Sequence, residues 1–186
     1  MTRIAIFASG SGSNAENIIR YFSDKESVKV VLVLSNRPSS GVLNRAKALS
    51  VPTFVFTKTQ LNQGTIVFDV LKQYNVSIIV LAGFLLKIPN DLLQSYPNSI
   101  VNIHPALLPK YGGKGMYGIH VHRLVVENGD KTSGITIHYV NANYDEGDII
   151  FQATCEINSE DSPNDVQDKV QALEIRHFPN VIKSIL

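Results

Sequence analysis

Val76-Ser77-Ile78-Ile79-Val80-Leu81 is apolar at five of its six positions, and a run this short has the length of a strand rather than of a buried helix. Its apolar residues do not alternate with polar ones, so both faces of the strand must be covered, as in a parallel sheet sandwiched between helices. Working outward, β-branched runs at residues 3–8, 28–34, 52–56 and 99–103 read as further strands. The segments between them, residues 15–22, 41–49 and 66–74, carry apolar side chains at helical spacing. Strand and helix alternate, which predicts an α/β fold with a doubly wound, mostly parallel sheet.

After residue 104 the texture changes. Tyr111-Gly112-Gly113-Lys114-Gly115-Met116-Tyr117-Gly118 is rich in glycine, and residues 119–127 follow as a short helix. Two strands then come close together in sequence, at residues 134–140 and 148–157, joined by Asn141-Ala142-Asn143-Tyr144-Asp145-Glu146-Gly147. That spacing predicts an antiparallel edge pair near the C-terminus. Ser162 is a helix N-cap with Pro163 at the first helical position and an acid in the first turn, so a closing helix starts at about Pro163. Neither an internal repeat nor a low-complexity linker interrupts the pattern, and residues 1–186 are expected to form a single domain.

Composition narrows the partners. The 186 residues are 44% hydrophobic, enough for one well-buried core. Seventeen Lys and Arg against sixteen Asp and Glu leave no electrostatic footprint for nucleic acid or an anionic membrane, so the expected partners are small molecules. Cys155 is the only cysteine, which excludes an internal disulfide framework and a thiolate metal cluster and fits a reducing compartment. Within its strand it reads as a buried hydrophobe. No segment reaches the roughly 18 to 20 apolar residues of a membrane span, and the apolar run at the start is too short for a signal peptide. The expected location is the cytoplasm.

Asn102-Ile103-His104-Pro105 closes the strand at residues 99–103 with two polar side chains two positions apart, hence on the same side. Pro105 holds His104 extended and removes a donor from the ladder, which ends the strand at its carboxyl edge, where open α/β sheets bind ligands. A lone histidine there is ordinarily satisfied by a carbonyl. Paired with Asn102, it also suits a tetrahedral oxyanion and proton relay. Such a pair needs a carboxylate to favour the charged imidazole, and Asp145 is the best-placed one, although a solvated turn residue explains it equally well.

Ser9-Gly10-Ser11-Gly12-Ser13-Asn14-Ala15 joins the first strand to the first helix, where bare N–H groups and the helix dipole can hold a phosphate. Its G-x-G-x-x-A form raises a dinucleotide site, but Ser35-Asn36-Arg37 stands where that site needs an acid for the ribose, so a monophosphate is preferred. A tight turn without ligand is the plain alternative. His120 and His122 lie two apart on a helix, hence on different faces, and no ligand set completes around them. They read as supporting or surface residues, and no metal site is expected. His138 reads as a positioning residue on an edge strand, and Glu174 as part of a solvated helix face.

Taken together, these segments resemble the folate-dependent formyltransferase family over essentially the whole chain. The resemblance is carried by Ser9 to Asn14, Leu81-Ala82-Gly83-Phe84, Asn102-Ile103-His104-Pro105-Ala106-Leu107-Leu108-Pro109-Lys110-Tyr111, His122-Arg123, residues 134–140, Asp145 and Gly147. It implies transfer of the formyl group of 10-formyltetrahydrofolate, a co-substrate, to the amine of glycinamide ribonucleotide in purine biosynthesis, without metal, by a monomer or homodimer. It assigns Asn102, His104 and Asp145 to catalysis. Gly12, Ser13 and Asn14 fall to the ribose phosphate, and Gln171, Ala172, Leu173 and Glu174 to the glycinamide end. Leu85, Leu86, Lys87 and Ile88, with Asn102, Asn141, Ala142, Asn143 and Tyr144, fall to the folate pocket. Formylation of another amine, such as an amino sugar or aminoacyl-tRNA, and a non-catalytic nucleotide- or folate-binding module are the alternatives. The chain departs from the family pattern in the glycine-rich loop after Tyr111, in lacking a basic residue near Gln63-Gly64-Thr65, and in having Leu86, beside Lys87, where an arginine is usual.

Overall fold

Seven strands form one sheet in the order β3-β2-β1-β4-β5-β6-β7 in the computed structural model, which describes residues 1–186. By contact density the chain divides into two compact units, Met1–Asn102 and Ile103–Leu186.

The first unit begins with β1 (Thr2–Phe7), α1 (Ser13–Phe22), β2 (Val28–Ser35), α2 (Gly41–Ala48) and β3 (Thr53–Val55). It continues with α3 (Lys58–Gln63), α4 (Thr65–Gln73), β4 (Ile78–Leu81) and α5 (Asn90–Ser95), and ends within β5 (Ile100–His104). β1 pairs in parallel with β2 and β4, β2 with β3, and β4 with β5. Ile4, Ala5, Ile6 and Phe7 are fully buried, as a strand covered on both faces requires. The doubly wound, mostly parallel reading therefore holds.

Two short helices escape the periodicity argument. α3 is set by a capping box, in which Thr57 Oγ1 accepts from the Gln60 N–H and the Gln60 side chain accepts from the Thr57 N–H. Gly64, at φ 79°, then separates α3 from α4. Each of α3 and α5 has six residues, too few to show a hydrophobic stripe. The strand expected from Val76 starts only at Ile78, because the Val76 N–H is spent on the Leu71 carbonyl at the end of α4.

The second unit carries α6 (Ile119–Glu127), β6 (Thr132–Tyr139), β7 (Ile149–Glu156) and α7 (Pro163–Ser184). β6 and β7 pair antiparallel from Thr132↔Glu156 to His138↔Ile149, as the sequence predicts. The outermost strand is β7, however, so β6 and its His138 lie inside the sheet rather than at its edge. α7 begins with the capping box of Ser162 and Asp165 and has Pro163 in its first turn. No helix is long and apolar enough to cross a membrane.

Candidate active site

In the first unit, β1 runs into the glycine loop and α1 begins at Ser13, with Gly12 as N-cap in the left-handed region at φ 84°. A Cβ at Gly12 would stand 2.6 Å from the Cα and Cβ of Val42. Glycine is therefore required twice here, by backbone conformation and by the approach of α2. The start of α2 also holds the loop: the Val42 N–H donates to the Gly10 carbonyl (3.2 Å) and Arg45 Nε to the Ser11 carbonyl (3.0 Å). Asn14 is buried and Ser13 half-buried in the first turn of α1. The dipole at a helix N-terminus favours an anion at such a turn.

Beyond β4 lies the loop of Leu85, Leu86, Lys87 and Ile88. Ile88 is buried, Leu85 and Leu86 are half-buried, and Lys87 is exposed. Ser9, which the sequence reading did not single out, ties this loop to the end of β1. Its N–H donates to the Gly83 carbonyl (3.0 Å), its Oγ accepts from the Leu85 N–H (3.1 Å), and its hydroxyl donates to Asn36 Oδ1 (2.6 Å).

β5 ends at His104, and Asn102 precedes it by two on the same strand face, half-buried. His104 is 3% exposed and meets an acceptor at each ring nitrogen. Nε2 donates to the Tyr111 carbonyl at 2.7 Å, and Nδ1 lies 3.5 Å from Asp145 Oδ2. Asp145 also approaches His138 Nε2 through Oδ1 (3.6 Å) and accepts the Gly113 N–H on Oδ2 (2.9 Å). His138 in turn sets Nδ1 against the Tyr139 carbonyl at 2.8 Å. Asp145 sits at φ 57° in the turn between β6 and β7, and Gly147 lets that turn close, since a Cβ there would fall 1.7 Å from the Tyr139 carbonyl oxygen. The solvated-turn reading of Asp145 is set aside by this burial and these partners.

Burial raises the Asp145 pKa, but the bond to His138, the charge of His104 and the Gly113 N–H together hold it below the usual carboxylate range. His104 runs against expectation. Asp145 and the Tyr111 carbonyl favour its charged form, yet burial outweighs both, helped by the charge of His138, and its pKa falls below the ordinary histidine value. The Asp145 carboxylate thus faces an imidazole whose charged form burial disfavours. His122 goes further, pushed down to about 4 by burial and by the nearby His104.

The helical pair separates as its spacing requires: His122 is buried on α6 and His120 exposed. On α7, Gln171 and Glu174 are half-buried one turn apart, while Ala172 between them is exposed. The loop from Asn141 to Tyr144 is exposed, braced by the Asn143 N–H on Asn141 Oδ1 (2.9 Å) and by Asn143 Nδ2 on Glu146 (2.8 Å). Thr136 was missed. Fully buried on β6, it accepts the Leu108 N–H (2.9 Å) and donates to the Ala106 carbonyl (2.7 Å), which fixes the chain just past His104. Its signal was available, because Thr136 and His138 share one face of a strand. No group of three or more His, Cys, Asp and Glu converges with the geometry to hold a metal ion.

A buried imidazole paired with a carboxylate, on a doubly wound α/β frame, is chemistry suited to group transfer or hydrolysis. Residues 2–182 match the model of the formyl transferase family, and the chain belongs to that family. It is 40% identical over 98% of its length to the chloroplastic phosphoribosylglycinamide formyltransferase of Arabidopsis thaliana, 65% of which it spans. It is 35% identical to the phosphoribosylglycinamide formyltransferase of Bacillus subtilis, with 100% of this chain and 95% of that protein covered. Among solved structures, the phosphoribosylglycinamide formyltransferase of Anaplasma phagocytophilum superposes with a TM-score of 0.90 at 32% identity, covering 99% of this chain and 86% of the other. That of Streptococcus pneumoniae TIGR4 gives 0.88 at 30% identity, covering 100% and 99%. The resemblance drawn from the residues is borne out.

Proposed function

We propose that the chain transfers the formyl group of 10-formyltetrahydrofolate to the amine of glycinamide ribonucleotide, giving formylglycinamide ribonucleotide and tetrahydrofolate in purine biosynthesis. The observation that carries the reading is His104, buried at a strand end with Nδ1 3.5 Å from the Asp145 carboxylate, in a member of the formyl transferase family. The bacterial and plant relatives, which bear the name of this activity, support the choice of amine. Gly12, Ser13 and Asn14 hold the ribose phosphate at the start of α1, and Gln171 to Glu174 border the glycinamide end. Leu85 to Ile88 and Asn141 to Tyr144, with Asn102, contact the folate. The reading includes a cytoplasmic enzyme working as a monomer or homodimer on small molecules alone, within a single domain and without metal.

The chemistry follows from the charges. Both partners of the ring only accept, and the Tyr111 carbonyl at 2.7 Å is much nearer than the Asp145 carboxylate at 3.5 Å, so in its neutral form His104 keeps its hydrogen on Nε2 and its lone pair on Nδ1. The substrate amine attacks the formyl carbon, forming the new C–N bond, and the carbonyl electron pair moves to oxygen. Asn102 donates to that oxyanion. His104 Nδ1 takes the proton leaving the amine, directly or through one water, and Asp145 stabilises the imidazolium. Collapse breaks the bond to the folate nitrogen, which receives the proton. This differs from a pre-charged histidine in order only: the imidazolium that assists the oxyanion is made during attack.

The test is incubation of the protein with 10-formyltetrahydrofolate and glycinamide ribonucleotide, following deformylated folate, with an aminoacyl-tRNA and an amino sugar as competing amines. Formylation of the ribonucleotide alone is expected. Binding without product, or transfer to a competing amine instead, overturns the reading.

A further inference from the structure

We infer that Tyr111 is the positioning residue for His104, and that its phenol, anchored on Asp130 and Asn128, sets which imidazole nitrogen takes up the proton. The inference rests on the proposed function for its catalytic meaning and on hydrogen-bond geometry for the rest. His104 Nε2 donates to the Tyr111 carbonyl at 2.7 Å, much the shorter of its two polar contacts. That bond confines the exchangeable proton to Nδ1, on the Asp145 side. Whatever holds the carbonyl in place therefore governs the ring.

Tyr111 stands at φ 57°, in the left-handed region that residues with a Cβ adopt at a cost and keep only where their surroundings over-determine them. The side chain provides that determination away from His104. Tyr111 OH donates to Asp130 Oδ2 at 2.7 Å and accepts from Asn128 Nδ2 at 2.7 Å. Asp130 is held in turn by Lys110 Nζ, at 2.6 and 2.7 Å to its two oxygens. The Lys110 bond keeps the Asp130 carboxyl below its usual range against desolvation, with the Tyr111 hydroxyl acting in the same direction as Lys110. Asn128 is the C-cap of α6 and Asp130 follows it by two, so the anchor is tied to the helix that carries His122.

The two residues after Tyr111 extend the same device. Gly112 passes so close to Leu108 that a Cβ would meet its Cδ2 at 2.6 Å, and the Gly113 N–H donates to Asp145 Oδ2. One short stretch thus holds both His104 and Asp145 from the backbone, with a single side chain fastening it outside. The groups facing His104 are Asp145 from the turn after β6, His138 from β6 and His122 from α6. The Tyr111 hydroxyl bonds instead to Asp130 and Asn128, so its removal substitutes none of these groups.

The experiment uses Tyr111→Phe, which keeps ring and backbone and removes the hydroxyl, with Asp130→Asn as a second route to the same loss. Long-range proton–nitrogen spectra of the free protein read the His104 tautomer and titration without any turnover. The wild type is expected to carry its hydrogen on Nε2, and Tyr111→Phe to mix the tautomers and lower the His104 pKa. In the transfer assay kcat falls about tenfold, the scale for groups that orient a working histidine, with the acid limb of the pH profile displaced downward and KM nearly unchanged. The double variant loses less than the product of the single losses. A folded Tyr111→Phe protein, or Asp130→Asn should the first not fold, with the wild-type tautomer and titration overturns the inference. A wild type that shows the tautomer but forms no product overturns only the proposed reaction.

Discussion

The two units bury polar groups of different kinds. Between Met1 and Asn102 the buried polar side chains are Ser9, Asn14, Ser35 and Ser40, hydroxyls and an amide that carry no charge at any ordinary pH. From Ile103 onward they include His104, His122 and His138, three imidazoles of which two have depressed pKa values. Burying a neutral hydrogen-bonding group costs little once it is paired, and the result is a rigid surface indifferent to pH. Burying an imidazole couples the fold to the proton. The difference leaves the buried polar groups of the first unit silent to pH and puts the buried titratable ones in the second.

The sharpest way to break this division is His104→Ala. Loss of both the proton acceptor and the cation that forms beside the oxyanion is expected to lower kcat by about 10³ to 10⁴-fold with KM changed little. Asp145→Asn is expected to follow at about 10²-fold, its pH profile flattened because the imidazolium no longer has a carboxylate partner. Steady-state kinetics across pH measure both. Near-normal turnover in His104→Ala sinks the assignment of chemistry to the second unit.

Gly12→Ala probes the other side. The substitution forces a Cβ into Val42 at 2.6 Å and a side chain onto φ 84°, so the loop must shift. Losing even one charge-assisted bond to the phosphate costs about 1.5–3 kcal/mol and raises KM for the ribonucleotide about ten- to a hundredfold. The kcat pH profile should stay that of the wild type. A displaced profile would show that the glycine loop shares in the titration, and the two roles would then not be separable.

Much of this division was legible in the residues. Strand and helix alternation gave the parallel half, and the antiparallel pairing of β6 and β7 followed from their short separation. The helix expected at residues 119–127 is α6 to the residue. What escaped were features without a period. The six-residue α3 is set by the Thr57 and Gln60 capping box, and α5 by the turn after Pro89. The direction of the His104 pKa also escaped, because spacing shows that Asp145 is available but not how deeply the ring is buried. Thr136 and Ser9 were passed over because each bonds a backbone N–H distant in sequence, and Tyr111 because it acts through its own carbonyl, which residue type does not reveal.

Acid stability isolates the buried imidazole. The folded pKa of His122, about 4, lies below the ordinary 6.5. Above 6.5 both folded and unfolded chains hold it neutral, and its full contribution is present. As pH falls from 6.5 toward 4 the unfolded chain takes up a proton that the native one refuses, and stability is lost. Over that window the loss amounts to at most about 3 kcal/mol at 1.36 kcal/mol per pKa unit. His122→Gln, which does not titrate, should show a shallower fall in denaturation midpoint between pH 6.5 and 4. An unchanged slope would mean that the acid sensitivity comes from other carboxylates and imidazoles.

Ser9→Ala gives the smallest effect and the finest test. The hydroxyl lies between the Leu85 N–H and Asn36, so its removal leaves a backbone donor without its acceptor. The expected penalty is about 1–2 kcal/mol, seen as a severalfold rise in KM for the formyl folate that we propose the loop from Leu85 to Ile88 contacts. Ser9 is 2% exposed but has no titratable neighbour among its bonded partners, so the acid limb of kcat should not move. A weakened KM with a fixed limb supports a holding unit that is deaf to pH. Movement of the limb would instead mean that a neutral hydrogen-bond chain in the first unit reaches the protons of the second, and the contrast between the two would have to be redrawn as a single coupled network.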